Sequence, residues 1–499
     1  MLRRSFALLL YVAILACCVN AAHGDENNTD LSAINNLQRT SASTMTASAG
    51  CSSAALPKDT TRVFIALRNG KDGAGASMAD ARDGSTPAGF DSILRCYSEG
   101  CASAGSGAKP IAKTENLLVC LGPGVFRTKG SYDFLIGVPH KTQEGFTLGK
   151  GWKVHGQGAD KTTLQLSAYL RITDPNDQRS YPLDTGMNTA FSTNSDDATG
   201  IEISDLTVDA NFPELKGLAR QNGVKALNLE AIHLRSNYGG NWIHNVKVIH
   251  TAGEVGSMNV KYETFPVWIY SARTGVPPSD NTGNIIENVT MTDFHGGLCT
   301  AIAVANAVAE VRNNLVDGYQ IGYGGWSMGP VWFHDNTAIN TEYGFNIDSL
   351  VNNGVRIERI QVIHPRKYGF VIGGGGTYSN FSLVSNTVQI DKAGVSGLIL
   401  QGNVARAAVV ENKILAENSA AARATAIRSS PAKTAGANHD NIFQANQITQ
   451  SLQIQFEPAS QNCFSGNRDE SGRPRKDMPD NHAGPCATAA ETNRPAAHP

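Results

Sequence analysis

A short run of residues recurs through the middle of the sequence, and this repeat constrains the fold more than any other feature. Each run reads apolar, polar, Asn or Asp, apolar, polar, apolar, as in IENVTM around Asn288; one run has Arg at the centre. Successive centres from Asn288 to Asn412 lie 25, 23, 23, 27 and 26 residues apart, and a period of this length indicates a solenoid. The centres are Asp205, Asn245, Asn288, Asn313, Asn336, Arg359, Asn386, Asn412, Asn446 and Asn467.

The repeat unit contains short β-branched segments and no stretch with the periodicity of an amphipathic helix, so we predict an all-β, right-handed parallel β-helix. Each coil would lay its strands on those of the previous coil at about 4.8 Å, and inward side chains would stack in aliphatic ladders. Asparagine suits the recurrent turn because it tolerates left-handed backbone and because its amide can bond to equivalent amides in neighbouring coils. We therefore predict that the central asparagines are structural.

The two ends of the chain differ in composition from the middle. Residues 1–24 combine an arginine pair, an apolar run and small residues, which predicts a signal peptide and a secreted or periplasmic protein; a lipid anchor through Cys17 is an alternative. Residues 25–59 and the Pro-rich residues 469–499 lack apolar periodicity and are predicted to be disordered. The β-helix domain with its N-terminal cap is predicted to span residues 60–468.

The net charge limits the classes of binding partner, and the cysteines bear on the redox environment of the protein. The formal net charge is −2 with no basic cluster, which argues against nucleic acid and against stable membrane insertion, and nothing indicates an oligomeric state. Export permits disulfides, so Cys96 could pair with Cys101, or Cys463 with Cys486, while Cys299 is predicted to be a buried thiol.

A helix is predicted at the N-terminal end of the solenoid, where an open coil would otherwise be an aggregation edge. In DGSTPAGFDSILRCY, Thr86 is a candidate N-cap and Pro87 suits the first helical position. The apolar residues that follow have helical spacing: Phe90, Ile93, Leu94 and Tyr97.

The cap sequence DGSTPAGFDSILR, followed by LGPGVFRT, GWKVHGQGADKTTLQL and the Asn-punctuated runs, resembles the pectate-lyase-like superfamily of right-handed parallel β-helix proteins. The resemblance covers roughly residues 60–468. It implies an extracellular protein that holds a polysaccharide in a groove along the helix. Many members of this superfamily are lyases, hydrolases or epimerases of acidic glycans and others are non-catalytic, so the fold alone leaves the activity open.

Catalytic signatures of the superfamily are mostly missing. The polygalacturonase-like pattern is represented only by Asp196-Asp197, His295-Gly296-Gly297 and Arg356-Ile357-Glu358, and these depart too far to assign that family. A lyase that uses Ca²⁺ would need clustered carboxylates, and no local run has that density. No cofactor or metal ligand is therefore assigned, although Ca²⁺ stays possible for a lyase.

A polar column follows from the repeat. Five residues beyond the run centres stand His250, Asp293, Thr341, His364, Asp391 and Glu417, at the points where strands leave the sheet. A solvated rim is one interpretation. The other is a site, for which the catalytic candidates are Asp293, His295, His250 and Glu263, because acid/base or metal chemistry needs carboxylates and imidazoles on neighbouring coils.

Aromatic and basic residues supply candidates for substrate binding. Sugars stack on aromatic faces and uronate carboxylates pair with cations, but these side chains could equally be core stackers or solvated charges. The candidates are Trp242, Trp268, Tyr343, Arg366 and Lys367. Two functions stay open: a secreted lyase or glycoside hydrolase acting on an acidic glycan, and a non-catalytic glycan-binding or surface structural β-helix.

Overall fold

A computed structural model describes Cys51 and residues 59–101, 111–131, 145–169, 171–172, 185–193, 199–224, 226–235, 237–253, 264–271, 283–297, 299–326, 330–347, 351–352, 355–379, 381–430, 438, 440–456 and 462–478. The predicted signal peptide with Cys17 lies outside these residues, as do Asp196, Asp197 and Glu263.

The described chain is built almost entirely from short strands. It contains the helices α1 (Pro87–Glu99) and α2 (Phe212–Gln221) and a 3₁₀ helix (Ser419–Arg423). The strands are β1 (Thr61–Ala66), β2 (Arg82–Asp83), β3 (Leu117–Leu121), β4 (Gly124–Thr128), β5 (Lys153–His155), β6 (Thr162–Leu166), β7 (Arg171–Ile172), β8 (Thr185–Ser192), β9 (Glu202–Asp209), β10 (Ala226–Arg235), β11 (Trp242–Ile249), β12 (Ala252–Gly253), β13 (Val267–Tyr270), β14 (Asn284–Glu287), β15 (Thr290–Met291), β16 (His295–Gly296), β17 (Thr300–Ala305), β18 (Ala309–Arg312), β19 (Leu315–Asp317), β20 (Ile321–Trp326), β21 (Val331–His334), β22 (Thr337–Ile339), β23 (Tyr343–Ile347), β24 (Val351–Asn352), β25 (Val355–Glu358), β26 (Gln361–Ile363), β27 (Tyr368–Ser379), β28 (Ser382–Val384), β29 (Thr387–Ile390), β30 (Ser396–Ala405), β31 (Ala408–Val410), β32 (Lys413–Ala416), β33 (Thr425–Ser430), β34 (Ile442–Gln444), β35 (Gln447–Ile448), β36 (Gln453–Gln455) and β37 (Cys463–Ser465).

Three sheets wind into a right-handed parallel β-helix, which confirms the predicted fold. The first sheet runs β1-β3-β5-β9-β11-β14-β18-β21-β25-β28-β31-β34-β37. The second runs β6-β9-β11-β15-β19-β22-β26-β29-β32-β35, with β4 beside β6 and with β9 and β11 long enough to serve both sheets. The third runs β8-β10-β13-β17-β20-β23-β27-β30-β33-β36.

Parallel pairing stacks like residues on like positions inside the coils. In the third sheet one inward column is buried throughout and mixes aliphatic and aromatic side chains, so that each coil covers the apolar surface of the last. The column is Ile232, Val267, Ile302, Tyr323, Phe345, Phe370, Leu398 and Ile427.

The turn between the first and second sheets uses two adjacent positions. The first has left-handed backbone, with φ between 50° and 58°, at Asp205, Asn245, Asn288, Asn313, Asp335, Arg359, Ser385, Glu411 and Ala445. The second holds a ladder of buried asparagines, Asn314, Asn336, Asn386, Asn412, Asn446 and Asn467. In this ladder Nδ2 of Asn386 donates to Oδ1 of Asn412 at 2.9 Å, and Asn412 donates to Asn446 at 3.1 Å.

The alignment of the runs from sequence is therefore partly out of register. Asn336, Asn386 and Asn412 fall one residue beyond the left-handed position that Asn288 occupies. The two properties attributed to one asparagine belong to two neighbouring residues: one adopts the left-handed turn, and the next bonds to the following coil.

Helix α1 caps the N-terminal end as predicted. The Thr86 hydroxyl accepts a hydrogen bond from the Gly89 amide at 3.1 Å, and Phe90, Ile93 and Leu94 are buried. Helix α2 was not predicted, because it lies in the long insertion between the runs at Asp205 and Asn245. It buries Phe212, Leu215 and Ala219 against the coils.

Residues beyond 468 close the C-terminal end of the described chain. The guanidinium of Arg475, which is only 3% exposed as a residue, donates to the carbonyls of Thr449 at 2.9 Å and Leu452 at 3.0 Å. Met478 joins the core. The folded part thus continues past residue 468, where the sequence places the end of the domain.

Two disulfides and a buried thiol lie in the described residues. Cys96 bonds to Cys101 as predicted, and Cys51 bonds to Cys120 of β3. Cys463 is also disulfide-bonded, while its predicted partner Cys486 lies outside the described residues. Cys299 is a buried free cysteine, as predicted.

Candidate functional site

The turn from the second sheet into the third carries the predicted polar residues. Strand pairing puts His250, Asp293 and His364 in one column, and all three have left-handed backbone with φ of 55°, 58° and 52°. Thr341, Asp391 and Glu417 were predicted for the same column but follow it by one residue, because they inherit the register error described above.

His250 is held by a buried carboxylate. Its Nδ1 lies 2.8 Å from Oδ1 of Asp209, the last residue of β9. Asp209 is 6% exposed and also accepts hydrogen bonds from Gln165 and from the Asn211 amide, each at 2.8 Å. An ionised carboxylate can only accept, so in this contact Nδ1 of a neutral imidazole would be the donor and Nε2 would be left as the acceptor. A partly exposed imidazole, 32% by side chain, held in this way can act as a base.

Asp293 occupies the equivalent position one coil later, about 4.8 Å away along the helix axis, and its side chain is exposed. Two residues on, His295 pairs with Ala252 in the strand ladder. Its ring stacks on Phe212 of α2 with centroids 4.2 Å apart. The insertion that forms α2 therefore packs against the same turn that carries Asp293.

A buried tyrosine fixes this turn from inside. The Tyr319 hydroxyl lies 2.9 Å from Oγ1 of Thr251, and its ring stacks on Phe294 with centroids 4.9 Å apart. Burial raises the pKa of Tyr319, so the phenol stays protonated. The carbonyl of Tyr319 accepts a hydrogen bond from Arg366 at 3.2 Å, which brings that guanidinium back to the coil next to Asp293.

The other substrate-binding candidates on this side lie further along the same edge. Tyr343 and Tyr368 occupy paired positions on adjacent coils, with ring centroids 5.0 Å apart. Lys367 forms an ion pair with Glu342. We call the surface formed by His250, Asp293, Tyr343, Arg366 and Lys367 the polar edge.

Trp268 lies on the outer face of the third sheet. It stacks on His233 with centroids 4.3 Å apart and packs with Phe265 and Tyr270 in an aromatic cluster separate from the internal core. The residue is 7% exposed, so the sheet face at Trp268 is covered.

Trp242 does not share a groove with Trp268. It lies on the outer face of the first sheet, where it stacks on His244 with centroids 3.8 Å apart, and Arg356 and Glu358 of the Arg-Ile-Glu segment lie on that same face. The sequence grouped the two tryptophans because both fall in one long interruption of the repeat; which sheet each faces depends on strand boundaries that periodicity does not give.

Sequence reasoning also missed the partner of His250. That partner is Asp209, which the alignment of IEISDLTVD with NWIHNVKVI places beside Ile249, one residue before His250. Among the described residues no group of three or more His, Cys, Asp or Glu side chains could hold a metal ion. None of the helices in that part of the chain has the length and apolar character needed to cross a membrane.

The chain is thus a right-handed parallel β-helix whose polar edge carries a carboxylate-held imidazole. The sequence matches no protein-family model and no curated protein. Among solved structures it is similar to a family 28 exopolygalacturonase of Yersinia enterocolitica, with 10% identity over 83% of this chain and 79% of that one and a TM-score of 0.47. It is also similar to the DFA-IIIase of Arthrobacter chlorophenolicus A6, with 11% identity over 85% and 99% of the two chains and a TM-score of 0.45.

A third similar structure is the A-module of mannuronan C-5 epimerase AlgE6 of Azotobacter vinelandii, with 14% identity over 70% of this chain and 84% of that one and a TM-score of 0.31. At these identities the activities of the three proteins do not transfer to this chain.

Proposed function

We propose that the protein is a secreted lyase that cleaves an acidic polysaccharide lying along the polar edge. The observation that carries the proposal is the His250 imidazole, whose Nδ1 is anchored 2.8 Å from buried Asp209 while its side chain is partly exposed. With Asp209 ionised, this arrangement would fix both the tautomer and the direction of a proton acceptor.

β-Elimination needs the groups that this edge supplies. Nε2 of His250 would take the proton from the carbon that bears the uronate carboxyl group, and the electron pair forms a C=C bond as the glycosidic oxygen on the next carbon leaves. Solvent protonates that oxygen. The neighbouring Asp293 carboxylate would stabilise the imidazolium so formed.

The basic residues support an acidic substrate. Arg366 reaches back to the Tyr319 carbonyl, in the coil next to Asp293, and its guanidinium would pair with the carboxylate of a sugar about two coils from His250. Lys367 and the Tyr343–Tyr368 pair continue the edge for neighbouring sugars. Trp268 is 7% exposed and packed in its aromatic cluster, so we leave it out of the proposed substrate-binding groups.

Hydrolysis has less support. It needs two carboxyl groups that face each other across the bond, whereas Asp209 is buried and already accepts three hydrogen bonds. A protein-made Ca²⁺ site does not fit the described residues either, because Asp293 is a single exposed carboxylate and Ca²⁺ takes six to eight oxygen ligands.

Two disulfides in the described chain support export, together with the signal-like N-terminus.

The test is a screen of the purified protein on polygalacturonate, alginate and uncharged polysaccharides, with and without a chelator, following unsaturated-product absorbance and reducing ends together. We expect unsaturated product from an acidic glycan. His250→Ala should lower kcat about 10²- to 10⁴-fold. Reducing ends without unsaturation would show hydrolysis instead.

His364→Ala is the matched control, because His364 has the same left-handed position but its partner, Glu417 at 2.8 Å, is exposed where Asp209 is buried. It should keep near-full activity. If the two histidine variants lose activity equally, or if His250→Ala stays active, the assignment is wrong. Binding without any product would favour the non-catalytic glycan-binding alternative.

A further inference from the structure

The outer face of the first sheet carries a repeated Trp-x-His arrangement, distinct from the polar edge. Trp242-Ile243-His244 and Trp332-Phe333-His334 are both strand segments, and in each the indole stacks on the imidazole two residues later with centroids 3.8 Å apart. The indole Nε1 then donates to a glutamate of the next coil: Trp242 to Glu287 at 2.8 Å, and Trp332 to Glu358 at 3.1 Å.

Each imidazole is in turn bonded to a glutamate of the preceding coil. His244 Nε2 lies 3.1 Å from Glu202, and His334 Nε2 lies 2.9 Å from Glu310. The same three-coil unit is therefore built twice, with an aromatic residue at its centre. Such a repeat fixes the orientation of both indoles rigidly, because each ring is held by stacking on one side and by its N–H group at the edge.

The indoles lie over the imidazoles and turn outward. His244 is 2% exposed and His334 is 7% exposed, whereas both tryptophans are only partly buried. Each imidazole is thus hidden beside an indole that keeps part of its own surface exposed on the outside of the sheet. The guanidinium of Arg356 lies over the Trp332 ring, 5.2 Å from its centroid, and adds a cation to this surface.

Strand pairing puts the two indoles in a single column. Trp242 pairs with Ile285, Ile285 with Glu310, and Glu310 with Trp332, so the rings are three coils apart. At about 4.8 Å a coil this is about 14 Å along the helix axis. Between them Arg312 bridges Glu287 at 2.6 Å and Glu310 at 2.7 Å, with its side chain 29% exposed. We call the surface of Trp242, Arg312, Trp332 and Arg356 the indole platform.

The charges beneath the platform are paired with one another. Glu202 bonds to Lys153, His155 and His244, and Glu310 bonds to Arg312 and His334. Glu358 pairs with Arg356 and Arg359. A ligand with its own charges would have to compete with these pairs, whereas an uncharged ligand keeps them intact.

We propose that the indole platform is a second carbohydrate-binding site, which takes an uncharged polysaccharide chain extended along the helix axis against the exposed parts of Trp242 and Trp332. Sugars present apolar C–H faces that stack on indoles, and the rim of guanidinium groups offers donors to hydroxyl oxygens. This inference is independent of the proposed lyase activity, because the platform lies on a different sheet from His250.

Affinity electrophoresis of the full chain through gels containing xyloglucan, galactomannan, hydroxyethylcellulose or dextran tests the proposal. We expect retardation by at least one of these and a Kd raised by about tenfold or more in the Trp242→Ala, Trp332→Ala double variant, the cost of losing an aromatic anchor. Trp268→Ala is the matched control and should bind the uncharged chain as the wild type does. No retardation by any of the four, or equal retardation of the double variant, overturns the proposal.

A second measurement avoids the risk that the double variant misfolds. Oxidation of tryptophans by N-bromosuccinimide, mapped by mass spectrometry in the unaltered protein, should slow at Trp242 and Trp332 when the retarding polysaccharide is present. Protection at both sites supports the platform. Unchanged oxidation at these two positions means that binding takes place elsewhere, and the proposal fails even if lyase activity is found.

Discussion

The first sheet and the polar edge use the same residue types in opposite ways. On the first sheet Glu202 lies within 3.1 Å of cationic or imidazole nitrogens from three side chains, Lys153, His155 and His244. At the polar edge His250 has one nitrogen bonded to Asp209 while its side chain stays partly exposed, and the next carboxylate, Asp293, is exposed. The first arrangement neutralises its charges internally, and the second leaves groups available to a ligand.

The difference follows from how regular the coils are at each place. On the first sheet the strands keep strict register from β5 to β25, so that long side chains always meet a partner one coil away. At the polar edge α2 is inserted and the backbone turns through left-handed residues, which points side chains away from the ladder. Paired charges stabilise a sheet face, whereas partly exposed groups at a turn stay accessible to a ligand.

The largest expected effect is on kcat, and it distinguishes Asp209 from Glu202, two buried carboxylates that bond to histidines. Asp209→Asn should lower kcat on the acidic substrate about 10²-fold or more with little change in KM, because an amide no longer fixes the His250 tautomer. The pH–rate profile should shift as well, which a purely structural role would not cause. Glu202→Gln, its counterpart on the first sheet, should leave kcat unchanged. Equal kcat in wild type and Asp209→Asn would remove the basis for the comparison.

The second prediction compares the same two regions by stability, where the variant on the first sheet should have the larger effect. Glu202→Ala should lower the free energy of unfolding by about 3 to 5 kcal/mol, because Lys153, His155 and His244 lose the carboxylate that they share. Asp293→Asn should change it by less than about 0.5 kcal/mol, since both residues tolerate the left-handed turn and the side chain is exposed. Chemical denaturation at neutral pH measures both. A small loss in Glu202→Ala would show that the cluster is not stabilising.

The third prediction concerns acid. Burial alone would raise the pKa of Glu202, but hydrogen bonds from His155 and His244 and the charges around it hold that pKa well below its usual range, and burial is similarly outweighed at Glu310 by His334 and Arg312. Groups with lowered folded pKa values contribute stability above the ordinary value of 4.5, and this stability is lost as the pH falls below it. Denaturation midpoints should therefore fall with decreasing pH below about 4.5, and less so in Glu202→Gln. A midpoint that stays constant down to pH 3 would contradict this.

The smallest expected effect distinguishes the two turn positions. Asn412→Ala should cost about 1 to 3 kcal/mol, because buried partners in two coils lose their bonds. Glu411→Gly, one residue earlier, should leave the unfolding free energy unchanged or raise it by up to about 1 kcal/mol, since glycine relieves the left-handed strain. Neither change should alter the choice of substrate. Thermal unfolding of the two variants side by side decides whether the positions differ.

The fold could be predicted from sequence because a solenoid repeats a short residue pattern at a nearly regular spacing. The spacing of the runs gave the β-helix, and the helical spacing of Phe90, Ile93 and Leu94 gave α1. The register within the turn could not be predicted, because asparagine serves both the left-handed position, as at Asn288, and the ladder position, as at Asn386. Because one residue type has two structural roles, the sequence pattern alone does not reveal an alignment error of one residue.

The candidate site was only partly predictable for a related reason. His250 and Asp293 come together because they sit at equal distances from correctly aligned centres. Asp209 and the repeated Trp-x-His segments depend on contacts between coils separated by insertions of unequal length, as between Asp209 and His250, which are 41 residues apart. The period of the repeat does not identify contacts between different register positions on neighbouring coils. The strand pairing in the structure identifies them.

Ile360 occupies the place in the buried asparagine ladder between Asn336 and Asn386, and its amide donates to Asn386 while its side chain cannot bond back to Asn336. The ladder is therefore two arrays rather than one. Across this coil the two arrays are joined by strand hydrogen bonds, by core packing and by the Arg359–Asp335 ion pair, but not by a bond between ladder amides. Under a load applied along the axis, the molecule should yield there first, parting into an N-terminal segment that carries most of the polar edge and a C-terminal segment held by the array from Asn386 to Asn467.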